Sequence, residues 1–189
     1  MEPITTFRAS PVAGVTVVDF VRHEDVRGSF QRLWCARDFA AGGLSQGVVQ
    51  VSLSHTLRRG TLRGLHFQLP PSREAKLVQC VRGHIYDVAV DLRPGSETFL
   101  RHYGLELAES VGRALFIPPG CGHGFLTLSD DCSIVYMMSD FFDANLSSGV
   151  RWDDPALNVQ WPEQPLEILE RDAGYPDIEI SQLDVFSGY

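Results

Sequence analysis

The sequence predicts an all-β fold. Three observations carry this: short apolar runs recur along the whole chain, glycine and proline punctuate them, and no long run shows helical spacing. The first run is Gly14 to Val21. Ala36 to Leu44 follows as the one short helical candidate in the first half. Then come Val48 to Ser54, Lys76 to Val81, His84 to Leu92, Tyr103 to Leu107, Ala114 to Ile117, Gly124 to Leu128 and Ser133 to Met138. Arg82-Gly83, Arg93-Pro94-Gly95 and Pro118-Pro119-Gly120 supply turns between strands. The tail from Pro165 to Tyr189 reads as turns with one helical turn. Many short strands with turn signals between them form a sandwich or barrel. No repeat or linker divides the 189 residues, so residues 1–189 are expected to form a single domain.

Composition narrows the function. Net charge is −8 and the pI is about 5.1, an acidic balance that argues against nucleic acid or an anionic membrane as the main partner. A few local arginines can still hold a phosphorylated ligand. Cys35, Cys80, Cys121 and Cys132 form no paired motif with zinc spacing, and Cys80 and Cys132 sit in apolar runs as buried thiols. The N-terminal stretch has no apolar signal core, and no segment is long and apolar enough to span a bilayer. The expected setting is the cytoplasm.

Polar residues interrupt strands that should be apolar. In Thr61 to Gln68, Leu65 and Phe67 share one face while His66 and Gln68 share the other, with Arg63 close by. Gly64 marks a bend or a close backbone approach. Lys76 opens a strand whose same face carries Val78 and Cys80, a costly position for an unpaired ammonium. Asp87 and Asp91 share a face with Ile85 and Ala89 and could pair with Lys76, Arg63 or His66. Tyr136 lies among apolar residues and needs a hydrogen-bond partner. His123 sits between Gly122 and Gly124, with room to face a cavity. Each residue also has a structural reading: His66 as a satisfied barrel histidine, Lys76 as an edge-strand gatekeeper, Tyr136 as core, the aspartates as ion-paired.

The stretch Thr61 to Phe99, with its LRGLHFQ and DVAVDLR blocks, resembles the dTDP-4-dehydrorhamnose 3,5-epimerase family. So do Ile117 to Asp130, the tyrosine of Ile134 to Asp140, Gly149 to Pro162, His23 to Phe30 and Glu170 to Pro176. The resemblance covers nearly the whole chain in order. It implies a cupin-like jelly-roll barrel with short flanking helices, usually a homodimer that exchanges N-terminal strands. It implies epimerisation of carbons flanking the C4 ketone of a dTDP-linked 4-keto-6-deoxyhexose, without a metal or other cofactor. On this resemblance His66 is the base, Asp172 orients it, Tyr136 is the proton donor and Lys76 lies near the ketone oxygen. Arg27, Gln50, Ser52, Arg63, His123, Phe141 and Arg171 fall at substrate-contacting positions.

The chemistry suits those residue types. Removing a proton beside a ketone needs a base of near-neutral pKa, and histidine is one. The enolate needs a cation or donor at its oxygen, and inversion needs a proton delivered from the opposite face. The sequence departs from the family's pattern at Arg32, Ser52, Phe141, Ser147 and Arg171. The proton-transfer set is intact, while the sugar, the nucleobase and single versus double epimerisation stay open. Two rival readings remain at this point: a non-catalytic sugar-nucleotide-binding cupin, and a metal-dependent cupin. The second is short of ligands, because Gln68 stands two places after His66, where a second histidine would be needed.

Overall fold

Strand alternation builds a two-layered barrel. The computed structural model describes residues 5–44 and 47–189. In chain order the strands are β1 (Thr5–Ala9), β2 (Thr16–Phe20), β3 (Arg22–Asp25), β4 (Gly28–Gln31), β5 (Gln50–Thr56), β6 (Thr61–Gln68), β7 (Lys76–Arg82), β8 (His84–Asp91), β9 (His102–Ala108), β10 (Arg113–Ile117), β11 (Cys121–Thr127), β12 (Cys132–Met138), β13 (Ser147–Gly149) and β14 (Glu167–Ile168). Helices are short: α1 (Ala36–Ala41), α2 (Glu170–Ala173) and a 3₁₀ segment, Ile180–Phe186. One sheet runs β1-β2-β10-β7-β12-β5. The other runs β13-β6-β11-β8-β9, with β14 parallel to β6. This is the expected all-β, cupin-like jelly roll.

Each strand divides its side chains between two environments, as the pleat dictates. Val17, Val78, Cys80, Ile85, Ala89, Leu115, Ile117, Phe125 and Ile134 point inward and join into one core between the sheets. Their neighbours point out. Val18, Phe20, Leu77, Ala114 and Phe116 pack under α1, and Leu65, Phe67, Val88, Val90 and Leu92 pack under the C-terminal segment. Over β7 and β8 the outer face is covered as well as the inner one, which explains why these two strands read as almost continuous apolar runs. Helix α1 is too short to be stable alone. It is held by Phe39, fully buried with ring contacts to Phe7, Phe20 and Trp34, a burial worth about 2–3 kcal/mol.

The boundaries differ from the sequence expectation in ways that have physical causes. Strand β5 lies two residues later than the apolar run, and β11 starts three residues earlier, at Cys121, because backbone pairing with β8 continues through Gly122 and His123. Strand β1 and the β3–β4 hairpin were not foreseen. Their residues are largely polar and exposed, so they carry no alternation. No helix among the described residues is long and apolar enough to cross a membrane.

Candidate active site

Antiparallel register places residues of distant sequence side by side across the lumen. On the first sheet Ser52, Tyr136, Val78 and Leu115 form one inward row. On the second, His66, His123, Ala89 and Tyr103 form another. The rings of His123 and Tyr136 meet edge to face at 5.8 Å and 76°, so the two rows face each other. Lys76 shares the inward face of Val78 one step along β7, a displacement of about 7 Å. Below these rows, Cys80, Ile85 and Ile134 are completely buried. Gln50, Ser52, His66, Lys76 and Tyr136 keep partial exposure, marking the open end of the barrel.

His66 owes its setting to two remote elements. Strand β14 pairs with Thr61 and Leu62, and the following turn of helix carries Asp172 back against β6. Asp172 Oδ1 lies 2.8 Å from His66 Nε2, and Oδ2 accepts a hydrogen bond from the Gly64 amide at 3.1 Å. The Asp172 side chain is 3% exposed, whereas the His66 side chain is 32% exposed. An ionised carboxylate accepts only, so Nε2 carries the proton and Nδ1 keeps the lone pair. Arg171 also reaches Asp172 Oδ1, at 3.3 Å, and its Nη2 contacts His66 Nε2 at 3.2 Å. Two donors cannot share that contact as a hydrogen bond, so Arg171 serves the carboxylate. Burial alone would raise the Asp172 pKa. The hydrogen bond and charge of His66, the Gly64 amide and Arg171 outweigh it and hold the group below the ordinary carboxylate range.

Close backbone contact makes this register possible. Gly64 has φ of +135°, and a Cβ there would lie 2.5 Å from the Gly124 Cα; a Cβ on Gly124 would lie 2.8 Å from the Arg63 carbonyl oxygen. The β6–β11 pairing shifts register between His123 and Phe125, beside this glycine pair.

His123 is 4% exposed, and its Nε2 lies 2.7 Å from Asp87 Oδ1. Asp87 is fully buried and its Oδ2 has no hydrogen-bond partner among the described residues. Burial pushes its pKa up against the pull of His123. Tyr136 responds to the same surroundings. Burial first and the Asp87 carboxylate second raise its phenol, with Arg63 opposing, so the hydroxyl stays protonated through the neutral range.

The sequence had left Asp87 and Asp91 to pair with Lys76, Arg63 or His66. The structure corrects this. Asp87 takes His123, and Asp91 takes Arg93 at 2.8 Å together with Ser96 and Thr98. Lys76 Nζ instead lies 2.7 Å from Glu74. Arg63 reaches across to β5, donating to Thr56 Oγ1 and the His55 carbonyl. Ser52 stays on the inner face opposite Tyr136. Gln50 accepts from the Phe142 amide, while Gln68 accepts from the Asp143 amide and donates to the Phe141 carbonyl. These two glutamines therefore clamp the loop after β12, and the Phe141 side chain stands exposed on it. Arg27 is not brought to this cluster. It lies at the tip of the β3–β4 hairpin and bonds to Asp25 of the same hairpin. Sequence reasoning missed Glu74 and the clamping role of Gln68; their spacing of two from Lys76 and His66 was the available signal.

For a metal-dependent cupin, His66 and His123 share the inward row, but among the described residues no third histidine joins them there. His84 lies beside the inward Ile85, on the outer face of β8, and pairs with Glu106 at 2.9 Å. Among the described residues, no group of three histidine, cysteine or carboxylate side chains could hold a metal ion.

A profile of the dTDP-4-dehydrorhamnose 3,5-epimerase family matches residues 9–179. The chain belongs to this family. A family member from Sinorhizobium fredii, a dTDP-4-dehydrorhamnose 3,5-epimerase, is 37% identical over 173 residues, covering 91% of this chain and 89% of that protein. NovW, a 4-keto-6-deoxy sugar epimerase from the novobiocin gene cluster of Streptomyces spheroides, superposes with a TM-score of 0.87 at 34% identity, covering 94% of this chain and 88% of that one. ChmJ, a 3′-monoepimerase from Streptomyces bikiniensis in complex with dTDP-quinovose, gives 0.82 at 33% identity, covering 89% and 85%. The family thus joins epimerases of different carbon choice on one fold.

The lowered Asp172 pKa has a consequence for stability. A carboxylate held below its unfolded pKa stabilises the fold at pH values above that unfolded pKa, about 4, and ceases to do so as pH falls through the folded value. Asp172→Asn should cost about 1–3 kcal/mol at pH 7, and the gap to wild type should close below about pH 4. Urea midpoints across pH 3 to 7 will check this; a gap that stays constant with pH would contradict it.

Proposed function

We propose that this protein epimerises one or both of the carbons flanking the C4 ketone of a dTDP-linked 4-keto-6-deoxyhexose. The observation that supports it most is the inward pair: His66, backed by Asp172, on one sheet, and Tyr136 on the facing sheet within edge contact of the His123 row. Family membership and the names of the relatives point the same way.

In this reading His66 removes the proton from the carbon next to the ketone. The electron pair moves into an enolate, and the Lys76 ammonium stabilises the new charge on oxygen. Asp172 stabilises the imidazolium that forms and keeps the ring in the tautomer that can accept. Tyr136, a protonated phenol in the opposing sheet, donates to the other face of the same carbon, so the stereocentre inverts. Solvent then restores both groups. Neither step requires a cofactor. Buried His123 and Asp87 hold the wall beside Tyr136. Exposed Arg63, at the edge of the lumen, suits the diphosphate.

The β3–β4 hairpin supports a homodimer. It is exposed along its length, with Val26 and Phe30 open to solvent. Its root is tied to the loop before β10 by Arg22 and the Glu109 carbonyl, at the opposite end of β10 from Ile117 and Lys76. On this reading Arg27, at the hairpin tip, serves the site of a second copy of the chain. Sedimentation equilibrium should give twice the 21.0 kDa chain mass; a monomer at micromolar concentration would contradict the dimer.

Reaction with dTDP-4-keto-6-deoxyglucose in deuterated water tests the activity. Wild type should incorporate deuterium at C3, C5 or both, read by proton NMR. His66→Ala should slow that incorporation by about 10²–10⁴-fold while leaving dTDP binding near wild type. Full exchange by the variant would remove His66 from the role of base.

A further inference from the structure

Glu74 has no part in the chemistry just described, yet it is built into the mouth of the barrel. Its side chain is 5% exposed, and one carboxylate oxygen lies 2.7 Å from the Lys76 ammonium, itself 14% exposed. The backbone around it is clamped. The Arg73 amide donates to Asp140 Oδ2, the Ala75 amide donates to Ser139 Oγ, and the Ser139 amide donates back to the Ala75 carbonyl. Ala75 packs outward under α1, so extended geometry turns Glu74 and Lys76 to the inner side together. A buried carboxylate held this firmly is a placed group.

Resting on the epimerase reading, we infer that Glu74 is the positioning residue that reserves Lys76 for the ketone oxygen. An ammonium has three donors; Glu74 occupies one and leaves two. It also cancels the lysine's charge locally. The substrate brings two kinds of anionic oxygen to this mouth. Its diphosphate is charged from the outset, and a bare lysine would capture it. The C4 oxygen becomes anionic only as the proton leaves. A lysine already paired to a carboxylate offers little to a resting diphosphate, which Glu74 repels, but still donates to an enolate formed within reach. The pair therefore directs lysine stabilisation to the transition state, where it raises kcat.

The test uses the full-length protein, with turnover followed by deuterium incorporation and dTDP as a competitive inhibitor. Glu74→Gln keeps the size and a hydrogen bond but removes the charge. It should lower kcat by about tenfold and tighten dTDP inhibition by about tenfold, since a freed ammonium now competes for the diphosphate. Glu74→Asp, which keeps the charge, should recover most of kcat. Placed on Lys76→Ala, the Glu74→Gln change should have no further effect on kcat, because Glu74 acts through the lysine. A merely structural role would not tighten dTDP, and its losses would add to those of Lys76→Ala. Wild-type kcat in Glu74→Gln, unchanged or weakened dTDP inhibition, or additive losses would each overturn the inference. Absence of exchange by the wild-type enzyme would instead count against the epimerase reading, while direct dTDP binding, which needs no turnover, would still show whether Glu74 keeps Lys76 from the diphosphate.

Discussion

The inward half of each strand is the constraint on which everything else rests. The pleat sends alternate residues into the lumen, and a slip of one residue would exchange them all for their outward neighbours. His66 would then trade places with Leu65 or Phe67, and Lys76 with Leu77, each of which is buried in an outer apolar cluster. The outer clusters therefore protect the site: Phe67, Leu77 and Val88 fix the register, and the register fixes which polar groups face one another.

Those polar groups enter the lumen in pairs. His66 comes with Asp172, His123 with Asp87, and Lys76 with Glu74. An isolated charge in such a setting carries a desolvation penalty of several kcal/mol, and a partner offsets most of it. Pairing also limits each group's freedom to rotate. Tyr136 enters differently, as a neutral phenol whose burial and anionic neighbour keep its proton in place. A carboxylate-backed imidazole facing an undissociated phenol is a base and an acid whose states are set apart by their surroundings.

Much of this was legible in the sequence. The runs from Lys76 to Val81 and from His84 to Leu92 show their strands directly, because outer as well as inner residues are apolar. The spacing of His66 and Gln68 against Leu65 and Phe67 gave the correct division of faces. Long-range pairing was not legible. Asp172 stands 106 residues from His66, and it is brought there by the pairing of β14 with β6 and the packing of α2 on the same strand, so its place rested on family resemblance. Asp87 was seen but given the wrong partners, since register across β8 and β11 cannot be read from either strand alone. The β3–β4 hairpin escaped notice because a polar ribbon, paired among the described residues only to itself, shows no alternation.

The opposition of base and acid is most directly examined with Tyr136→Phe, given dTDP-4-keto-6-deoxyglucose in deuterated water. If His66 and Tyr136 act on opposite faces, this variant should still exchange the proton next to the ketone, returning deuterium from the His66 side, and should recover sugar of unchanged configuration. Inversion at the wild-type rate, or loss of exchange together with inversion, would contradict the account.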